Sequence, residues 1–464
     1  MQPRRRGLMS RTGRRVLAIF FASTTASVAH TSALRSTVMM SGGGESPTRA
    51  SSATSPAATA ASSVGPAVSP IDVAAKDVAD RFTPREYRAP WWATNDHFST
   101  IFGSGEIQKK FGVKGPKVAY RRERWQTPDG DFLDVDFLDT PGEAGGRHRQ
   151  SQGGGETAVA VDAGEGEGTL ADGGEGDDST VPFAVLTHGL ESTSTAPLTA
   201  KMALAYQRKG FRVAVMCFRS CSGEDNLTLR AYHLGFTEDL ELVCKTLRER
   251  HPRSPLFLSG FSLGGNVITK LLGNLGDRAR EMGIMGGAVA CVPFDAVSCQ
   301  QRVDTGFGKL VYARNFLNSL IPKMMRKSLT DPRVAEVIDL ERLQKVTTIE
   351  GEFDDMVIAP VFGFDDFQDY YRKTQSGQFL KDVRVPFLAV QAINDPFMDP
   401  AKLPTVEELQ GAPVQLSYHE HGGHCAFLTD SQEENDKGWL ATEMARFGDH
   451  VHQLGSGSGG GGAA

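Results

Sequence analysis

Ser262 stands within Gly260-Phe261-Ser262-Leu263-Gly264, a G-x-S-x-G pattern. An apolar stretch, PLFLS, precedes it, and a helix-like GGNVITKLL follows. A strand that turns this tightly into a helix is the setting of a nucleophile elbow, which lifts the serine hydroxyl above the carboxyl edge of a sheet. Flanking glycines leave room for strand and helix to approach each other. In a chain with 51 glycines the pattern also arises by chance, as a Gly-Ser turn that opens an ordinary helix. The strand before it and the helix after it favour chemistry.

A serine hydroxyl is a poor nucleophile and needs a base. On such a scaffold the chain order is serine, acid, histidine. Residues 385–393 read as a buried strand ending in Asn394-Asp395-Pro396, so Asp395 falls just past its carboxyl end. The plain alternative is a turn-forming N-D-P. Asp354, Asp355 and Asp399 do not directly follow a strand and are weaker rivals. After the last apolar run come His419, His421 and His424. His424 follows Gly422-Gly423, on a loop able to reach the serine. The predicted catalytic set is Ser262 as nucleophile, His424 as base and Asp395 as the group that fixes the imidazole tautomer. The predicted oxyanion hole uses the N–H groups of Leu263 and Leu190. His188 precedes the serine and reads as a loop-shaping residue.

These residues need a scaffold. Apolar runs bounded by breakers occur at 183–188, 211–218, 255–261, 286–292, 385–391 and 414–418. Helix-period segments lie between them; in 237–251, Leu240, Val243, Cys244 and Leu247 share one face. This alternation predicts an α/β fold, a mostly parallel central sheet with helices on both faces. Segment 294–380 lacks the alternation and reads as an inserted helical cap.

Composition narrows the function. Fifty basic residues stand against 56 acidic ones, a net charge of -6, which argues against a nucleic-acid partner. Segment 141–180 alone holds nine acids, two arginines and twelve glycines, and reads as an unstructured insertion. Six cysteines are too few for a disulfide scaffold, and no C-x-x-C pair is present. Cys217, Cys244 and Cys291 lie in apolar runs and read as core, and Cys425 is not read as a second nucleophile. Neither a metal constellation nor a dinucleotide fingerprint is visible, so no cofactor is expected. Phe364-Asp365-Asp366-Phe367 with Tyr370 and Tyr371 reads as packing within the cap. Asn226-Leu227-Thr228 fits a glycosylation sequon, meaningful only on the secretory route.

No apolar run approaches the roughly 18 residues of a membrane-spanning helix. Residues 1–44 contain seven arginines and no acid, with an apolar stretch at 16–29, and read as a targeting segment for an organelle such as a plastid, or for secretion. Residues 45–75 read as a disordered linker, 76–454 as the folded domain and 455–464 as a flexible tail.

The motifs together resemble a family. Pro90-Trp91-Trp92 with Asn95, His97, Thr100 and Ile101 is similar to P-W-W…N-G-H…T-I. Arg122-Glu123-Arg124-Trp125 and Thr127-Pro128-Asp129-Gly130-Asp131 resemble R-E-x-W…T-P-D-G-D. His188-Gly189-Leu190-Glu191, the Phe218-to-Glu224 segment, Tyr232-His233, Gly260 to Asn266, Asp395-Pro396-Phe397 and Gly422-Gly423-His424 complete the series in order. The chain resembles the bacterial YheT-type and eukaryotic abhydrolase-domain group of α/β-hydrolases, which includes plant embryogenesis-associated hydrolases. The resemblance runs from about Trp91 to the C-terminal helix, apart from the acidic insertion. Asp96, Ser192, Ser220 and Asn394 depart from the family pattern, and none is a triad position.

The resemblance implies a serine hydrolase of carboxylic esters, acylglycerols or other lipid esters, acting on a small-molecule substrate and leaving peripheral contact with a membrane open. The alternatives are an acyltransferase that passes the acyl group to an alcohol and a non-catalytic lipid-binding protein. His233 and Asp239 have five residues between them, whereas an acyltransferase H-x4-D motif needs four, so His233 reads as structural.

Overall fold

The computed structural model describes residues 70–103, 115–140 and 179–457. The predicted targeting segment, residues 45–69 of the predicted linker, residues 141–178 of the predicted insertion and residues 458–464 of the predicted tail lie outside the described residues. Helix α1 (Pro70–Asp80) corrects the end of the linker reading. Its alanine-rich sequence is a good helix former, and Ala75 and Ala79, four residues apart, are buried. Helix α2 spans Asp96–Gly103.

The strands and helices then alternate: β1 (Arg121–Gln126), β2 (Phe132–Leu138), β3 (Phe183–Thr187), α3 (Pro197–Arg208), β4 (Arg212–Met216), α4 (Glu238–Arg250), β5 (Leu256–Phe261), α5 (Leu263–Leu275) and β6 (Ile284–Ala290). Beyond β6 lie α6 (Ala296–Val303), α7 (Arg314–Thr330) and α8 (Phe367–Thr374), then β7 (Phe387–Ala392), β8 (Val414–His419) and α9 (Trp439–Gly457). Helix α9 runs three residues into the predicted tail.

One eight-stranded sheet has the order β1-β2-β4-β3-β5-β6-β7-β8. The pairings from β4 to β8 are parallel, and β1 and β2 join antiparallel at one edge. Alternation along β5 explains the layers. Leu256 and Leu258 pack with Leu240 and Leu247 of α4 and Val267 and Leu271 of α5. Phe257 and Phe261 point into the opposite layer, with Met202 and Tyr206 of α3 and Met444 and Phe447 of α9. Strands buried on both faces read as unbroken apolar runs, which is why the sequence showed them.

The stretch between β6 and β7 contains only helices and loops. It has its own apolar cluster, in which Tyr312, Leu317, Met324 and Val334 join Phe397 and Met398 from the segment after β7. This helical region therefore rests on the chain immediately beyond Asp395. Phe364, Phe367, Tyr370 and Tyr371 do not join that cluster, which corrects the reading of packing within the cap. They pack on the main core beside α4 and α5, with Phe364 and Tyr370 ring to ring at 5.2 Å and Asp366 capping α8 through Asp369 N. No helix among the described residues is long and apolar enough to cross a membrane.

Candidate active site

β5 ends at Phe261 and α5 begins at Leu263, so Ser262 alone makes the reversal. Its backbone adopts φ 53° and ψ -127°. A side chain there costs about 1–3 kcal/mol and persists only where its surroundings over-determine it. Those surroundings are close. A Cβ on Gly260 would lie 2.2 Å from Thr187 Oγ1, and one on Gly264 would lie 2.4 Å from His188 O. β3 thus closes both flanking positions to any side chain, which is the physical content of the two glycines.

Ser262 Oγ lies 3.0 Å from His424 Nε2, and His424 Nδ1 lies 2.8 Å from Asp395 Oδ2. A carboxylate only accepts, so Nδ1 carries the imidazole proton and Nε2 presents its lone pair to the serine. Asp395 is buried, and its other oxygen accepts from Phe397 N at 2.8 Å. The Phe397 ring stacks on His424 with centroids 4.1 Å apart. Asn394 Oδ1 accepts from Gly423 N at 3.0 Å, and Thr100 Oγ1 in α2 accepts from His424 N at 2.9 Å. The histidine loop is therefore pinned from two sides before its side chain does anything.

His419 and His421 stay apart from the serine. His419 is buried between Tyr87, Phe427 and Trp439 and contacts Ser417 Oγ, and burial lowers its pKa. His421 lies beside Asn394. Of the rival acids, Asp354 accepts from the Tyr371 hydroxyl at 2.5 Å, Asp355 from Phe367 N, and Asp399 caps a short turn at Ala401.

The loop after β3 lies against the serine: a Cβ on Gly189 would be 3.4 Å from Ser262 Cβ. Leu263 is the first residue of α5, where helix N–H groups have no intrahelical partner. Among the described residues neither Leu263 N–H nor Leu190 N–H makes a hydrogen bond. His188 sets the second of these. Its Nε2 accepts from Phe218 N at 3.3 Å, so its Nδ1 carries the proton and donates to Gly189 O at 2.9 Å. Ser192 N donates to the same oxygen at 3.2 Å. In a trans peptide the carbonyl and the following N–H point opposite ways, so holding Gly189 O aims Leu190 N–H. Burial pushes the His188 pKa down to about 4, which keeps the ring neutral for this task.

One departure from the family pattern, Ser220, has a local account. Ser220 sits at φ 62°, a conformation glycine adopts freely. Its hydroxyl donates to Asn226 Oδ1 at 2.7 Å and accepts from Asn226 N at 2.9 Å, which offsets the strain. Asn226 is buried, and its side-chain nitrogen is shared among Asp131, Thr228 O and Arg230 O. The folded chain leaves no room for a glycan at that sequon. His233 is buried against Phe236, Phe362, Phe364 and Tyr370, accepts from Gly235 N, and has its pKa lowered to about 3 by burial. Asp239 pairs with Arg219, not with His233.

Cys291, His424 and Cys425 bring three donor atoms within 4.8 Å of one another, a cluster no spacing in the sequence announced. Both His424 nitrogens already face Ser262 and Asp395, so an ion there would displace one of them. Sequence reasoning also assigned no role to Thr100, Asn394 or Phe397. The signal for Thr100 and Phe397 was membership in the family-like motifs, which says that a residue matters without saying what it touches; Asn394 departs from its motif and gave no such signal.

A family profile for the α/β hydrolase fold matches residues 185–431. Over 308 residues the chain is 32% identical to the putative esterase YheT of Escherichia coli, covering 66% of this chain and 78% of that one. It is 27% identical over 324 residues to phospholipase ABHD3 of Mus musculus, covering 69% and 70%. It is 27% identical over 277 residues to a monoacylglycerol lipase of Saccharomyces cerevisiae, covering 58% and 59%. The chain belongs to the α/β-hydrolase family, within its YheT-type, abhydrolase-domain group. The relatives' names are those of an esterase, a phospholipase and a lipase, the enzyme class the sequence predicts.

Proposed function

We propose that the protein is a serine hydrolase of lipid carboxylic esters that works through an acyl-enzyme. The observation that carries this reading is the chain of contacts from Ser262 Oγ to His424 Nε2 at 3.0 Å and from His424 Nδ1 to Asp395 at 2.8 Å. His424 takes the serine proton as Ser262 attacks the ester carbonyl. Negative charge gathers on the carbonyl oxygen, and the N–H groups of Leu190 and Leu263 stabilise it. The protonated imidazole, held by Asp395, gives its proton to the leaving alcohol. Water then enters, loses a proton to His424, and attacks the acyl carbonyl; Ser262 leaves with the proton returned.

The names of the relatives support a lipid ester as substrate, and so does the rim of the site. From His424 an aromatic path leads outward through Phe397, Tyr312 at 4.7 Å, and Phe307 at 6.1 Å from Tyr312. Phe307 is 41% exposed and Leu310, one helical turn on, is 71% exposed. Apolar surface of this kind receives an acyl chain at little cost in desolvation.

The test incubates the full chain and its Ser262→Ala variant with a fluorophosphonate probe, then with graded acyl esters that include monoacylglycerols. Labelling and turnover confined to the parent are expected. Equal turnover in the variant defeats the proposal. Ester formed in the presence of added alcohol would move the reading to acyl transfer.

A further inference from the structure

The residue after Leu190 carries a second network that the proposed mechanism does not use. Glu191 adopts φ 54°, an unusual backbone for a glutamate. Its N–H donates to the Tyr232 hydroxyl at 3.0 Å, and that hydroxyl donates to Glu191 Oε1 at 2.8 Å. Cys221 Sγ lies 4.0 Å from the same oxygen, and two further partners come from the helical region between β6 and β7. Lys323 Nζ donates to Oε1 at 2.7 Å, and Ser319 Oγ donates to Oε2. Ser319 and Lys323 are four residues apart on α7 and so share one face. The Lys323 and Glu191 side chains are 12% and 8% exposed. Among the described residues, this one buried carboxylate joins the cap helix to the loop that bears a proposed oxyanion donor.

We propose that Lys323, with Ser319, is a positioning residue: seating α7 on Glu191 holds the loop so that Leu190 N–H faces Ser262. Cap closure and assembly of the oxyanion hole are then a single event. The inference rests on the serine-hydrolase reading above. Its physical basis is the cost of a buried charge without its partner, which turns the side chain toward water. Glu191 then loses the cation that holds its carboxylate in place, and strained backbone relaxes once it is no longer over-determined. The Leu190 amide lies one residue away and moves with it.

The experiment uses the full chain with Lys323→Met, Lys323→Arg, Ser319→Ala and, as control, Ser262→Ala. A soluble short-chain p-nitrophenyl ester limits the contribution of the acyl pocket. Readouts are kcat, KM and the inhibition constant of a trifluoromethyl ketone, which places an oxyanion in the hole. Lys323→Met should lower kcat by about 10–100-fold with KM within about threefold, because mis-aiming a donor costs up to what removing it costs. The ketone should weaken by the same factor, and Lys323→Arg should retain most of the rate. Ser319→Ala should show the same kcat and ketone pattern at smaller size, and it decides the matter if Lys323→Met does not fold. Unchanged kcat and ketone affinity in the folded variants overturn the proposal, as does a rise in KM alone. Turnover surviving in Ser262→Ala would instead defeat the serine-hydrolase reading, so the two failures are distinguishable.

Discussion

Two buried polar clusters lie near the carboxyl end of the sheet, and both are carried by family-like motifs. Around Arg219, the guanidinium donates to both oxygens of Asp239 at 2.8 and 2.9 Å and to Asp129 at 2.7 and 3.1 Å, with Asp131 at 3.4 Å. Around His424, an imidazole bridges Asp395 and Ser262. Each cluster pairs an aspartate with a nitrogen base, yet only one can move a proton. A guanidinium stays protonated at any working pH and accepts nothing. An imidazole has one donor and one acceptor and can exchange them. In the Arg219 cluster every guanidinium nitrogen has a partner, with Asp129 at the solvent edge, whereas the other includes a strained serine beside N–H groups that have no partner among the described residues. A motif therefore marks a residue that the structure needs. Strain alone does not mark chemistry, since Ser220 beside Arg219 is also at positive φ; free valence separates chemistry from architecture.

Substitution at each centre should separate rate from stability. Ser262→Ala removes the proposed nucleophile and relaxes nothing the core depends on. Turnover should fall by at least about a thousandfold, a loss of more than about 4 kcal/mol of transition-state stabilisation, with the melting temperature unchanged. Arg219→Met should do the reverse. Asp239 and Asp131 would remain buried without their cation, a cost of about 3–5 kcal/mol in urea unfolding. The folded fraction should keep its kcat within a few-fold. A large loss of kcat in folded Arg219→Met would erase the distinction between the clusters.

The same contrast explains what could be read from the sequence. The parallel part of the sheet and the elbow were legible because their signals are local: apolar runs of strand length, a helical period in 237–251, and glycines where β3 crowds Gly260 and Gly264. The charged edge strand β1 carries no such run. Asp395 and His424 followed from chain order and from their places after strands. Two of the supports of the site were not legible because they come from far along the chain. Thr100 and His424 are 324 residues apart, and Glu191 and Lys323 are 132 apart. No periodicity reports such a contact. Helix α1 failed for a different reason: an alanine-rich stretch has the composition of a linker until it finds a surface to bury Ala75 and Ala79.

Acid should expose the neutral histidines that shape the fold. Burial holds His188 at about 4 and His233 at about 3, against an unfolded value near 6.5. Between these values the unfolded chain binds protons that the folded chain refuses. Stability is therefore fully present above about pH 6.5 and falls as the pH drops toward 4. For His188 alone the loss amounts to about 3 kcal/mol. Urea unfolding at pH 7, 6 and 5 measures it. In His233→Phe, whose ring suits the surrounding aromatics, the slope should flatten by up to about 1.4 kcal/mol per pH unit. An unchanged slope would mean that His233 takes up its proton in the fold.

The smallest effect probes the supports of His424. Thr100→Val preserves shape but removes the acceptor for His424 N–H and the donor to Asp96 O, bonds of 2.9 and 2.8 Å. An unpaired N–H at this site costs about 1–3 kcal/mol, which the loop can avoid by shifting. A shift moves Nε2 away from Ser262 and leaves the acyl-binding surface where it is. The expected outcome is a kcat lower by about tenfold with KM nearly constant, since only an interaction made in the transition state has weakened. Thr100→Ser keeps the hydroxyl and should restore the rate. If Thr100→Val loses stability but keeps kcat, then Phe397 stacking and the Asp395 bond position the imidazole by themselves, and α2 belongs with the Arg219 cluster as architecture.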